Sequence, residues 1–268
     1  MLYQDNYYIN GEKFYLKNFN WISPPFFYGY ITLYSDSILM EQQTQKSSKK
    51  YGIITAMEEE AQIIIDFLWL TFVKEYQTIK IYENPDYVLA LTGIWKIQAS
   101  MGTMFLCLSY DVEGLINIGI AGNLTWKESK VWDVFLVHSV VQHDMYLPFE
   151  WSHLDYAKWE IILPYQPHIN LDNFPFGVHL KGKCATWDQF IDRKDLWDQL
   201  REKTQADIAE MEAFWVASVA REFWILPHTI IIKAISDGAD SDAIYAHESN
   251  LGFAMNNSLE VLKKILEA

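Results

Sequence analysis

The sequence predicts an α/β domain built on a largely parallel sheet with helices on both faces. Three observations carry that expectation. Short, mostly apolar runs such as Leu115-Ile116-Asn117-Ile118 and residues 230–235 read as strands buried on both sides. Segments with apolar residues at helical spacing alternate with those runs, and no internal repeat interrupts the alternation.

In chain order, residues 51–55 form a short apolar strand. Glu58 opens a helix with Ile63, Ile64, Phe67 and Leu68 on one face. Strand-like runs follow at 78–83 and 87–92, then a helix over 96–109. The strand around 115–118 ends in Gly119-Ile120-Ala121-Gly122, another strand covers 134–141, and 143–175 is less regular. Residues 177–185 read as a strand and 192–203 as a polar helix. A helix from Glu212 presents Val216, Val219, Ala220 and Phe223 on one face. Residues 230–235 are the clearest buried strand. The last helix places Met255, Leu259, Leu262, Ile265 and Leu266 at helical spacing.

Composition changes near residue 50. Residues 1–49 read as an aromatic-rich extension ending in the polar linker Gln42 to Lys50, and 50–268 as the main domain. Strand-like pieces lie at 7–9, 13–16 and 30–34. The extension either packs on the main domain or offers an aromatic surface to a partner or ligand.

Half of the 268 residues are hydrophobic, enough for a real core. Lys+Arg total 21 against Asp+Glu 35, a net charge of −14, which argues against nucleic-acid binding because phosphate contacts need a basic face. The two cysteines, Cys107 and Cys184, form no CxxC or Cys/His cluster, so neither a disulfide framework nor structural zinc is expected. Met1-Leu2-Tyr3-Gln4-Asp5 lacks the basic-then-apolar start of a signal peptide, and the apolar window 63–73 is broken by Asp66. A soluble cytoplasmic protein without membrane contact is expected.

Ligands of open α/β sheets bind at the carboxyl ends of strands. That directs attention to 56–60, 119–122, 210–212 and 236–240. Glu58, Glu59 and Glu60 either complement a helix dipole or supply a base at the strand mouth. Glu210-Met211-Glu212 offers helix-start acids and a core Met, or a carboxylate for a vicinal diol. Ser236-Asp237-Gly238-Ala239-Asp240 is a turn or cap, or an acid whose burial equips it to donate a proton.

Taken together, these segments resemble the 5′-methylthioadenosine/S-adenosylhomocysteine nucleosidases of the purine nucleoside phosphorylase superfamily. The resemblance starts at Gly52-Ile53-Ile54-Thr55-Ala56-Met57-Glu58-Glu59-Glu60 and runs through Gly93-Ile94-Trp95-Lys96 and Asn117-Ile118-Gly119-Ile120-Ala121-Gly122. It continues at Asp188-Gln189-Phe190-Ile191, Ala209-Glu210-Met211-Glu212-Ala213 and Ala234-Ile235-Ser236-Asp237-Gly238-Ala239-Asp240, covering about residues 50–268. It implies a three-layer α/β/α nucleoside phosphorylase-like fold with a mixed, mostly parallel sheet, a homodimer, and no cofactor or metal.

The resemblance also implies roles. Asp237 matches the acid that protonates adenine N7, oriented by Ser236, and Glu60 the base that activates water. Glu212 matches the carboxylate on the ribose hydroxyls, with Met211 against the sugar and Glu210 beside it. Phe190 and Ile191 match the adenine-stacking segment, and Ala56, Met57, Ile94, Ala121 and Gly122 the remaining pocket wall. Superfamily phosphorylases carry arginines around the positions of Glu60 and Asn117 and a serine at that of Ile120, so hydrolysis is expected over phosphorolysis. Lys233 would pair with Glu60 or Glu212.

Two tryptophans depart from the pattern. Trp95 and Trp187 stand where the family usually has glycine, Trp95 either packing under its helix or reshaping the 5′ end of the pocket. Leu147 or Phe149 would reach a partner's 5′ pocket. His143-Asp144 and His247-Glu248 are adjacent His/acid pairs, of a kind also common on surfaces. The expected activity is adenine release from a 5′-thio-adenosine. The alternatives are an adenosine, AMP or futalosine-type nucleosidase, a phosphorylase, or a non-catalytic nucleoside-binding relative.

Overall fold

Two sheets account for all the described strands, and they belong to separate compact units, Met1–Ser47 and Ser48–Ala268. The computed structural model describes residues 6–9, 12–15, 34–35, 50–125, 128–144, 160–164, 169–171, 174–239 and 242–267. In the first unit, β1 (Asn6–Ile9), β2 (Glu12–Tyr15) and β3 (Tyr34–Ser35) form an antiparallel sheet. The expected linker up to residue 49, Leu147, Phe149 and Asp240 lie outside the described residues.

The second unit begins with β4 (Lys50–Thr55), whose neighbouring isoleucines face opposite ways, as a pleated strand requires. Ile53 joins a core with α1 (Glu58–Leu68) and α5 (Ala243–Leu266). Ile54 joins another with α2 (Lys96–Ser109) and α4 (Ala213–Glu222). One strand buried on both faces beneath two helix layers is the predicted three-layer α/β/α arrangement.

The remaining strands are β5 (Thr71–Tyr76), β6 (Ile79–Glu83), β7 (Tyr87–Leu91), β8 (Val112–Asn123), β9 (Val134–Gln142), β10 (Glu160–Ile162), β11 (Val178–Thr186), β12 (Ile208–Glu210) and β13 (Thr229–Asp237). Helix α3 (Lys194–Thr204) precedes β12. The sheet order is β10-β9-β11-β12-β8-β4-β7-β6-β5, and β13 pairs with both β8 and β9. Strands β8, β13, β9, β11 and β12 therefore close into a ring without a free edge. Parallel pairing runs through β7–β4–β8–β13 and β9–β11–β12. The ladders β5–β6–β7, β8–β12, β9–β13 and β9–β10 are antiparallel, so the sheet is fully mixed.

Three details differ from the sequence reading. Strand β5 was not expected, because an edge strand with exposed positions leaves no apolar alternation to read. Strand β8 runs through Gly119-Ile120-Ala121-Gly122, which the sequence placed after its end. On α1 the buried face is Glu60, Ala61 and Ile64, while Phe67 is exposed. No helix among the described residues is long and apolar enough to cross a membrane.

Candidate active site

One cleft, open at its mouth, collects the residues expected to be catalytic or substrate-binding: Ala56, Met57, Glu60, Ile94, Ala121, Gly122, Phe190, Ile191, Glu210, Met211, Glu212, Ser236 and Asp237. Ile120, Gln189, Ala209, Ala239 and His247 complete the wall. Segments far apart in sequence meet here because β4, β8, β12 and β13 are neighbours around the closed part of the sheet.

Glu60 is the one buried acid of the first turn of α1; Glu58 and Glu59 face solvent. Its Oε2 accepts from the Thr55 hydroxyl at 2.9 Å and from the backbone N–H groups of Ala56 and Met57 at 3.2 and 3.1 Å. Its Oε1 accepts from the Ile120 N–H at 3.1 Å. The carboxylate thus caps its own helix and is pinned to β8. Gly119 makes room for it: a Cβ there would lie 2.8 Å from Glu60 Oε1.

Asp237 ends β13 beyond a bulge at Ser236, where the ladder to β8 jumps from Ile235–Ala121 to Asp237–Gly122. Bulges re-aim side chains, and this one turns the carboxylate into the cleft. Oδ2 accepts from the Ser236 hydroxyl at 2.7 Å and Oδ1 from the Ala239 N–H at 2.8 Å. Gly122 is the second permissive glycine, since a Cβ would stand 3.1 Å from Asp237 Oδ1.

The third group is a buried ionic cluster. Lys233 is 2 % exposed; its Nζ lies 2.8 Å from Glu210 Oε2 and 3.8 Å from Glu212 Oε2. The expected pairing with Glu60 is therefore replaced by Glu210, and Glu212 is the farther partner. Glu210 also accepts from the Thr186 hydroxyl and, at 3.0 and 2.9 Å, from the N–H groups of Glu212 and Ala213. Glu210 borders the cleft, but both its oxygens are already engaged by protein donors; it positions Lys233 and the start of α4. Glu212 Oε1, by contrast, is buried without a hydrogen-bond partner and is the acceptor left for a ligand.

Burial pushes the Glu210 carboxyl up, but the adjacent Lys233 charge and its hydrogen bonds outweigh that and hold it below the usual range. For Glu212 burial dominates: with Lys233 spent on Glu210 and the Glu210 and Glu60 charges nearby, it rises to about 8. The folded state holds a Glu212 proton that the unfolded state releases, so this group's contribution falls as pH climbs from the ordinary carboxylate range through about 8. Glu212→Gln removes that penalty. Its melting temperature relative to wild type is expected to rise progressively between pH 5 and pH 8, read by calorimetry across that ~3-unit range.

Residues 50–268 match the phosphorylase superfamily over their whole length. The chain belongs to the phosphorylase superfamily. An aminodeoxyfutalosine nucleosidase of Helicobacter pylori is 26% identical over 82% of this chain and 98% of its own length. A 5′-methylthioadenosine/S-adenosylhomocysteine nucleosidase of Buchnera aphidicola is 28% identical over 81% and 97%. Among solved structures, the futalosine hydrolase of Helicobacter pylori superposes with a TM-score of 0.72 at 23% identity, covering 82% of this chain and 97% of that one. A putative nucleosidase of Francisella philomiragia gives 0.70 at 25% identity over 82% and 99%.

Against this superfamily background the tryptophans and histidines become readable. Trp95 is half exposed, which removes the reading that it packs under α2. It adopts φ 95° and ψ 153°, a region essentially reserved for glycine. Asp188 secures the same turn by accepting from the Lys96 N–H at 2.9 Å. Neither adjacent His/acid pair forms. His143 meets the edge of Trp187 while Asp144 pairs with Lys96, and burial pushes His143 down to about 4. Glu248 is exposed, and His247 faces Asp237 instead. Among the described residues no cluster of three or more His, Cys, Asp or Glu suits a metal ion.

Proposed function

We propose that the protein hydrolyses the N-ribosyl bond of a purine nucleoside, releasing adenine from a 5′-thio-adenosine such as 5′-methylthioadenosine. The observation that carries this reading is the pinned Glu60 carboxylate, across the cleft from Asp237. Bond cleavage needs an acid for the leaving purine and a base for the incoming water, and these two buried carboxyl groups are held by separate, fully made hydrogen-bond sets. Phe190, 37 % exposed, offers a face for a purine. Glu212 Oε1 offers the open acceptor for ribose hydroxyls.

Charge argues for water over phosphate. Glu60 lines the cleft with donors at both its oxygens, as suits a carboxylate, and Lys233, the nearby cation, is committed to Glu210 and Glu212. A phosphate dianion would enter an acidic pocket with Ile120 where a polar partner is needed. The same charge disfavours a 5′-phosphate, whereas Met57, Ile94 and Met211 suit a thioether. The experiment is purine release from 5′-methylthioadenosine, S-adenosylhomocysteine, adenosine, AMP and aminodeoxyfutalosine, with and without phosphate. Phosphate-independent release with a 5′-thio preference is expected. Release from AMP alone, or only with phosphate, contradicts the reading.

Trp95 narrows the 5′ end in this account. Trp95→Gly relieves a backbone strain of about 1–3 kcal/mol, so the variant is expected to melt higher while accepting bulkier 5′ groups. Thermal melts and the substrate panel read the two effects separately. An unaltered panel contradicts the assignment of Trp95 to the 5′ end of the pocket.

The homodimer is proposed on the exposed stripe Ile97, Met101, Met104 and Leu108 along α2. It is continuous with Ile94 at the cleft, so a second copy seated on it would border the pocket. Sedimentation equilibrium tests this, a dimer being expected and a monomer contradicting it.

A further inference from the structure

Asp237 is 2 % exposed, yet an acid that gives its proton to a leaving group must be reloaded before the next turnover. In the reaction proposed above, the C1′–N9 bond breaks with its electron pair going to the purine, and the Asp237 carboxyl proton moves to N7. Water adds its oxygen to C1′ and yields a proton to Glu60. Asp237 is left as a carboxylate and Glu60 as the acid, so one proton must return to Asp237 and one must leave Glu60.

His247 projects from α5 into the cleft with Nδ1 3.8 Å from Asp237 Oδ2, its side chain 24 % exposed against 2 % for that of Asp237. Its ring meets Phe190 edge-on, with centroids 5.6 Å apart and planes at 83°, which holds the imidazole over the acid. Ser236 and Ala239 occupy the other directions around the carboxylate. The remaining titratable groups on the wall have other engagements: Glu60 is bound to β8 and its own helix start, Glu210 to Lys233, and Glu212 lies beside Lys233. Glu248 is turned outward. Among the described residues lining the cleft, His247 alone is a titratable side chain reaching both Asp237 and solvent.

We propose that His247 is a positioning residue acting through Asp237, handing a proton from solvent to the buried carboxylate between turnovers. An imidazole suits this because one ring nitrogen can take a proton from water while the other gives one up. The 3.8 Å gap is closed by a small ring rotation or one bridging water. The proposal rests on the N-ribosyl hydrolase reading, and its test separates the two.

The test compares wild type, His247→Ala and His247→Phe on 5′-methylthioadenosine and on 4-nitrophenyl β-D-ribofuranoside. Nitrophenolate leaves as a stable anion and needs no protonated Asp237. Expected for both variants is a fall in kcat on the nucleoside of about tenfold, with KM little changed and kcat on the nitrophenyl riboside within about twofold of wild type. Added imidazole should restore nucleoside turnover in His247→Ala, whose cavity admits it, and not in His247→Phe. Equal losses on both substrates would assign His247 to packing and overturn the proposal, as would no loss on either. Wild type that turns over neither substrate removes the hydrolase reading, and the proposal with it.

Discussion

Asp237→Asn is expected to lower purine release by about 10²–10⁴-fold, the range a positioned general acid contributes. The amide has the size of the carboxyl group. Its oxygen keeps the Ala239 N–H, and its nitrogen donates to the Ser236 hydroxyl, which rotates to accept. The pocket therefore keeps its shape and loses only the proton. Purine nucleoside binding, read by calorimetry on the inactive variant, should persist, and the melting temperature should change little. Undiminished turnover would remove Asp237 from the mechanism.

Glu60→Gln is expected to do two kinds of damage. Both oxygens of Glu60 receive donors, three at Oε2 and one at Oε1, so an amide nitrogen must face a donor in either orientation. A buried group left opposed in this way costs about 1–3 kcal/mol, and thermal melts should show it. Loss of the base adds a fall in kcat of about 10²–10⁴-fold. The contrast between the variants is the informative part: both slow the chemistry, and only Glu60→Gln lowers the melt. A stable and fully active Glu60→Gln protein would contradict the geometry assigned to this side chain.

Much of the candidate site was legible in the sequence, where strand ends and helix starts mark the segments and the ordered motifs of the resemblance single out the residues. Glu60, Glu212 and Asp237 each follow an apolar run, and the sheet order brings those run ends together. What was hidden depends on contacts between distant residues. Gly119 looks like the end of a strand; it is glycine because Glu60 occupies the space its Cβ would need. Lys233 is one cation among several acids, and which one it takes is decided by the antiparallel pairing of β12 with β8, which brings Glu210 beside it. His247 reads in sequence as one of two adjacent His/acid pairs of a kind common on surfaces, because sequence gives no sign that the start of α5 turns one face of the helix over the cleft. Sequence alone leaves Trp95 between packing and pocket, and only its positive φ shows that the turn keeps a glycine's backbone.

The central claim is that Glu60 directs water to C1′ while Asp237 protonates the leaving purine. It is tested most directly by running the reaction in ¹⁸O-labelled water with phosphate present and weighing the sugar product. Hydrolysis predicts free sugar carrying one labelled oxygen at C1′ beyond the level that exchange introduces in a control with unlabelled product. A sugar 1-phosphate without the label would contradict it, and with it the assignment of Glu60 as the base.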